Sequence, residues 1–113
     1  MSWTVFFADE FEALDEAVQD ATLARVLLLE CEGSSLGRLH ADTLVGSKHA
    51  NMKELRCNAA GSVWRIAFAF DPDRQAILLV AGDKSGKNEK RFYQRLIAKA
   101  DERFDRHLAK RKG

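Results

Sequence analysis

The chain has 113 residues, 46% of them apolar and 31% charged, with a formal net charge of +1. This is the make-up of one domain with a single modest core, not of a disordered chain. Its longest apolar runs, such as residues 76–81, are far too short to span a bilayer, and the N-terminus lacks the basic-then-apolar order of a signal peptide. A cytoplasmic protein of one domain, residues 1–113, with no membrane role is therefore expected.

Trp3-Thr4-Val5-Phe6-Phe7 is short, aromatic and β-branched, and reads as a strand. Asp9 offers an N-cap, after which Phe11, Leu14 and Val18 recur at helical spacing. A further helical stretch carries Leu23, Val26, Leu27 and Leu29 to Gly33. The weak break at Asp15-Glu16-Ala17 and the size of the domain favour a hairpin of two helices. Residues 33–37 are a loop, and the segment to Asn51 shows no clear period. Three strands follow: Met52–Cys57, Ser62–Phe70 and Gln75–Ala81, the last almost continuously apolar and so expected to be buried on both faces. Asn58-Ala59-Ala60-Gly61 and Asp71-Pro72-Asp73-Arg74 have turn chemistry, which makes these strands an antiparallel meander. The last helix, capped by Ser85 or Asn88, repeats Phe92, Leu96, Ala100, Phe104 and Leu108 every fourth residue. The order β-α-α-β-β-β-α defines an α+β domain, with two N-terminal helices on a mostly antiparallel sheet and a C-terminal helix.

The near-neutral total hides a division of charge. Residues 1–47 carry nine acidic and two basic side chains, whereas residues 48–113 carry sixteen basic and eight acidic ones. Lys48, Lys53, Arg56, Arg65, Lys84, Lys87, Lys90, Arg91 and Arg95 gather around the three strands, which points to a polyanion as ligand. Single basic residues elsewhere solvate helix faces. Gly82-Asp83-Lys84-Ser85-Gly86-Lys87-Asn88 is not a nucleotide-binding P-loop: three residues, not four, separate its glycines, and Asn follows the lysine. His40, His49 and His107 are scattered, so no metal site or cofactor is expected. Cys31 and Cys57 lack metal spacing and read as small near-core residues in a reducing compartment. No Gly-x-Ser-x-Gly elbow is present.

RNA cleavage requires none of these devices, because the 2′-hydroxyl of RNA attacks the neighbouring phosphate. The protein has to orient that attack, move protons and stabilise phosphate charge. Arg65, alternating with Ala67 and Ala69 on one strand face, is free to grip a phosphate there. His49, Tyr93 and Lys84 are candidates for proton handling or for positioning a base. Lys48, Lys53, Arg56, Lys87 and Arg95 are candidate phosphate ligands.

The strings Asn51-Met-Lys-Glu-Leu-Arg56, Val63-Trp-Arg-Ile-Ala-Phe-Ala-Phe-Asp71-Pro72, Leu78-Leu-Val-Ala-Gly-Asp-Lys-Ser-Gly86 and Arg91-Phe-Tyr93 closely resemble the HigB-like branch of the RelE/ParE toxin superfamily. So do Ser35-Leu-Gly-Arg38, Asp42–His49 and the tail from Ala100 to Leu108, and the resemblance covers nearly the whole chain. It implies a RelE-like fold and the toxin of a type II toxin–antitoxin pair, cutting messenger RNA on the ribosome without metal and so inhibiting translation. The family's catalytic and phosphate-binding groups fall, by position, on Lys53, Arg56, Arg65, Lys84 and the Arg91-Phe92-Tyr93 region. The chain departs from the usual pattern at the end of the last strand, where Gly82-Asp83-Lys84 stands in place of an arginine, and it lacks a His-rich ending. The implied partners are a helix-turn-helix antitoxin, messenger RNA and the ribosome, with operator DNA reached only through the antitoxin. A gyrase inhibitor on the same fold, and a scaffold that only binds its antitoxin, are the alternatives.

Overall fold

The computed structural model describes residues 3–5, 11–32, 41–59 and 61–112. Its strands are β1 (Trp3–Val5), β2 (Ala41–Thr43), β3 (Lys53–Ala59), β4 (Ser62–Phe70) and β5 (Ala76–Asp83), and its helices are α1 (Glu16–Glu32) and α2 (Glu89–Lys112). The strands form one sheet in the order β1-β5-β4-β3-β2. The β2–β3, β3–β4 and β4–β5 pairs are antiparallel, and β1 joins β5 in parallel with Val5 opposite Leu78.

The expected meander is present. Ala59 pairs with Ser62, and Gly61 takes φ +75°, a conformation that favours glycine. The second turn is organised by Asp71. Its Oδ1 accepts the N–H groups of Asp73 (2.9 Å) and Gln75 (3.0 Å), and its backbone carbonyl accepts that of Arg74 (2.9 Å). Between β4 and β5 the register slips at Ala67/Phe68, so that Leu79 is an extra residue. Its carbonyl accepts Arg103 Nη1 of α2 at 2.6 Å, which ties the helix to the bulge.

The N-terminal half differs from the expected pair of helices. Among the described residues it holds a single long helix, α1, preceded by a helical turn at Phe11–Glu12. Gln19 explains the break: its Nε2 donates to the carbonyls of Phe11 (3.2 Å), Glu12 (3.0 Å) and Leu14 (2.9 Å), satisfying groups that would otherwise continue a helix. Residues 6–10, which include part of the expected first strand and the Asp9 cap, lie outside the described residues. The short strand β2 was not expected. It is too brief to show a period, and its pairing with β3 is what defines it.

The sheet is covered on both faces, and the two helices lie on opposite ones. α1 buries Val26 against Leu55, Cys57, Ile66, Phe68 and Leu78. Its buried stripe is Val18, Thr22 and Val26, whereas Leu23 and Leu27 are exposed at 40% and 61%. The Thr22 hydroxyl is satisfied by donating to the Val18 carbonyl at 2.8 Å. α2 lays Phe92, Leu96, Ala100 and Phe104 on Ala67, Ala69, Ile77 and Leu79, as the four-residue repeat predicts. Ala76 to Val80 are buried throughout, as expected of a strand covered on both sides. Cys57 is a buried free thiol whose pKa is pushed up by that burial. No described helix is long and apolar enough to cross a membrane.

Candidate active site

Strand alternation decides which side chains meet. Leu55 and Cys57 face α1, so Glu54 and Arg56 face the α2 side of the sheet, and Lys53 faces the α1 side with Leu55. On β4, Arg65 shares the α2 side with Ala67 and Ala69. The register sets Arg56 directly opposite Arg65 on one flank and Gly82 opposite Arg65 on the other. A Cβ on Gly82 would stand 2.9 Å from Cε1 of the Phe92 ring. The glycine therefore lets the first turn of α2 settle on the sheet. Asn88 caps that turn: its Oδ1 accepts the Arg91 N–H at 3.0 Å.

This docking brings Tyr93 against Glu54, Arg65 and Lys84. Glu54 is 4% exposed, and its Oε2 has no hydrogen-bond partner among the described residues. Its Oε1 faces Arg56 Nε at 3.4 Å, and Arg56 Nη2 reaches Asp42 Oδ2 at 3.3 Å. Arg65 donates from Nη1 to the Trp64 carbonyl at 2.9 Å, while its Nε is buried without a partner among the described residues. Lys84 Nζ lies 5.4 Å from the Tyr93 ring centroid and 3.1 Å from Glu89 Oε1. Burial first, and then the Glu54 carboxylate, push the Tyr93 phenol above its ordinary 10.0; Arg65 and Lys84 pull the other way without reversing the shift. Tyr93 therefore holds its proton at neutral pH.

Two guanidinium groups directly opposite each other repel, and an unsatisfied buried carboxylate oxygen costs stability. Both features fit a ligand that brings negative charge and a hydroxyl proton. A hollow of about 510 Å³ opens beside Tyr93, between α2 and the Val45–Gly46 turn.

The other residues singled out in the sequence lie elsewhere. His49 is held by Asp105 (Nε2 to Oδ1, 2.9 Å) and packs edge-on against Phe104, with ring centroids 4.8 Å apart. Lys48 pairs with the same Asp105. Asp105 is twelve residues beyond Tyr93, about 18 Å along the helix axis. Arg91, Arg95 and Lys87 line a groove with Phe92, Leu96 and Gly82 that does not include Tyr93. Helix periodicity puts Tyr93 and Ile97 on one flank of α2 and Arg91 and Arg95 on the opposite flank. Arg65, Lys84, Tyr93 and Arg56 are thus brought together, and His49, Lys48, Lys53, Lys87, Arg91 and Arg95 are not part of that cluster. Glu54 was the residue overlooked as a participant. The signal was available: the turn at residues 58–61 fixes the β3–β4 register, and alternation then puts Glu54 on the face of Arg65. Among the described residues no cluster of His, Cys, Asp and Glu could hold a metal ion.

The family described as phage derived protein Gp49-like (DUF891) matches residues 9–105. The chain belongs to this Gp49-like family. Two Mycobacterium tuberculosis proteins named as toxins are similar to it. HigB2 is 48% identical over 97 residues, 85% of this chain, and HigB3 is 48% identical over 103 residues, 91% of this chain. The matched segment spans about half of HigB2 (48%) and most of HigB3 (88%). The resemblance to HigB-like toxins therefore holds for this Gp49-like chain. No solved structure matches it significantly.

Proposed function

We propose that this Gp49-like protein is the toxin of a type II toxin–antitoxin pair and that it cleaves messenger RNA on the ribosome without a metal ion. The observation that carries the reading is the meeting of buried Glu54, Arg65, Lys84 and a protonated Tyr93 on one sheet face.

The chemistry follows from the groups. Glu54 Oε2 takes the proton of the RNA 2′-hydroxyl as its oxygen bonds to the adjacent phosphorus. Arg65, Arg56 and Lys84 hold the charge that grows on the non-bridging oxygens. The bond to the 5′-oxygen breaks, and Tyr93 gives that oxygen its proton. The products are a 2′,3′-cyclic phosphate and a 5′-hydroxyl. Because Glu54 and Tyr93 are adjacent, the proton returns directly from carboxyl to phenolate. The hollow beside Tyr93 has room for a base stacked on the ring.

The partner that restrains this activity is an antitoxin, as the HigB names of the relatives suggest, and a helix-turn-helix protein by the resemblance described above. RNA 5′-end mapping after expression without antitoxin tests the reading. Cuts within translated messages support it. Intact messages accompanied by DNA damage indicate a gyrase-directed toxin instead.

A further inference from the structure

We infer that the groove between α2 and the C-terminal half of β5 binds the phosphate backbone of RNA, away from the cleavage cluster and without chemistry of its own. The inference rests on the RNA-directed reading above and extends it to a second site.

The groove has a volume of about 420 Å³ and is lined by Lys87, Arg91, Arg95 and Lys99 over a floor that includes Gly82 and Phe92. No acidic side chain lines it among the described residues. Arg91, Arg95 and Lys99 recur every fourth residue, so they form one row along the helix, about 12 Å from first to last. All four cations are exposed. None makes an ion pair with a described carboxylate, whereas Lys48, Arg56, Lys84, Arg106 and Arg111 each do. Asp83, which feels the charge of Lys87, spends its oxygens on Ser85 and Ser62. The row is therefore a line of positive charge, without ion pairs to described carboxylates, beside a hollow.

The floor separates two classes of polyanion. An acidic protein segment needs apolar anchors to bind well. Phe92, Leu96 and Val80 are only 9%, 4% and 5% exposed, and among the described residues the exposed large apolar side chains (Leu23, Leu27 and Val45) all lie elsewhere. A backbone of regularly spaced phosphates needs only the charges. The groove thus fits nucleic acid better than peptide.

The test is fluorescence anisotropy of a short labelled oligouridylate, measured across a salt series on the full chain. Glu54→Gln is carried in every sample so that the RNA stays intact. Arg95→Glu with Lys99→Glu should weaken binding at least about tenfold. The slope of log K against log salt should also fall by about 0.7 per removed cation. Arg95→Gln with Lys99→Gln should give the same direction with a smaller loss, and thermal melts report that each variant is folded. Unchanged affinity and slope in folded variants would overturn the proposal. So would displacement of the RNA by polyglutamate at equal charge concentration, which would give the groove to an acidic protein segment. The two readings fail separately. RNA bound through this groove but never cut would remove the nuclease reading alone. Glu54-dependent cutting with salt-insensitive, groove-independent binding would remove this one alone.

Discussion

His107 Nε2 donates to Asp71 Oδ2 at 2.8 Å, and the Asp71 side chain is wholly withdrawn from solvent. The carboxylate that shapes the β4–β5 turn is thus also the anchor for the last turns of α2. Burial alone would raise its pKa. The hydrogen bonds from His107 and from the N–H groups of Gln75 and Asp73 outweigh this and hold it below the ordinary 3.8. A depressed carboxyl stabilises the fold fully above the unfolded value. That contribution is lost as pH falls below 3.8 and through the folded value. His107→Ala should destabilise the protein by about 1–3 kcal/mol, the cost of depriving a buried carboxylate of a partner. It should also shift acid unfolding to higher pH. Urea melts across an acid pH series check both, and an acid midpoint unchanged in the variant would contradict the anchor.

Gly82→Ala should destabilise by about 1–3 kcal/mol, because the new methyl meets the buried Phe92 ring and either the ring or the helix must yield. The same substitution should lower activity, since Tyr93 follows Phe92. A thermal melt alongside a growth assay reads both effects. A stable, fully active Gly82→Ala protein would mean that the helix does not depend on this close approach.

Arg65→Met should separate stability from activity. It removes a like charge placed directly opposite Arg56, worth about 0.2–1 kcal/mol, and leaves an apolar stem between strands. The expectation is an equal or higher melting temperature with loss of growth arrest. Full toxicity in this variant would remove Arg65 from the site.

Tyr93→Phe should abolish growth arrest while His49→Ala retains most of it. Tyr93 sits in the cluster, and His49 is engaged by Asp105 and Phe104. The two variants expressed side by side, with protein levels matched, decide between them. The reverse pattern would move the chemistry to the other end of α2.

Periodicity carried much of the fold. The Phe92–Phe104 stripe and the meander turns are local patterns, and both stand in the structure. The break before α1 was less legible, because it depends on Gln19 reaching back to three carbonyls, which no spacing announces. At the site, alternation placed Arg65 beside Ala67 and Ala69 correctly. It also set Lys53 and Arg56, three residues apart on one strand, on opposite faces, but only the burial of Leu55 and Cys57 under α1 showed that Arg56 is the one on the α2 side. His49 falls in a segment with no period, where nothing in the sequence shows what it meets. Only the fold brings it to Asp105, fifty-six residues away in sequence.

The chemistry of the broken RNA ends tests the central claim most directly. Fragments made by the wild-type protein on translating ribosomes should carry 2′,3′-cyclic phosphates and 5′-hydroxyls, and Glu54→Gln and Tyr93→Phe should yield none. Fragments with 5′-phosphates, cleavage that requires added metal, or undiminished cutting by both variants would contradict it.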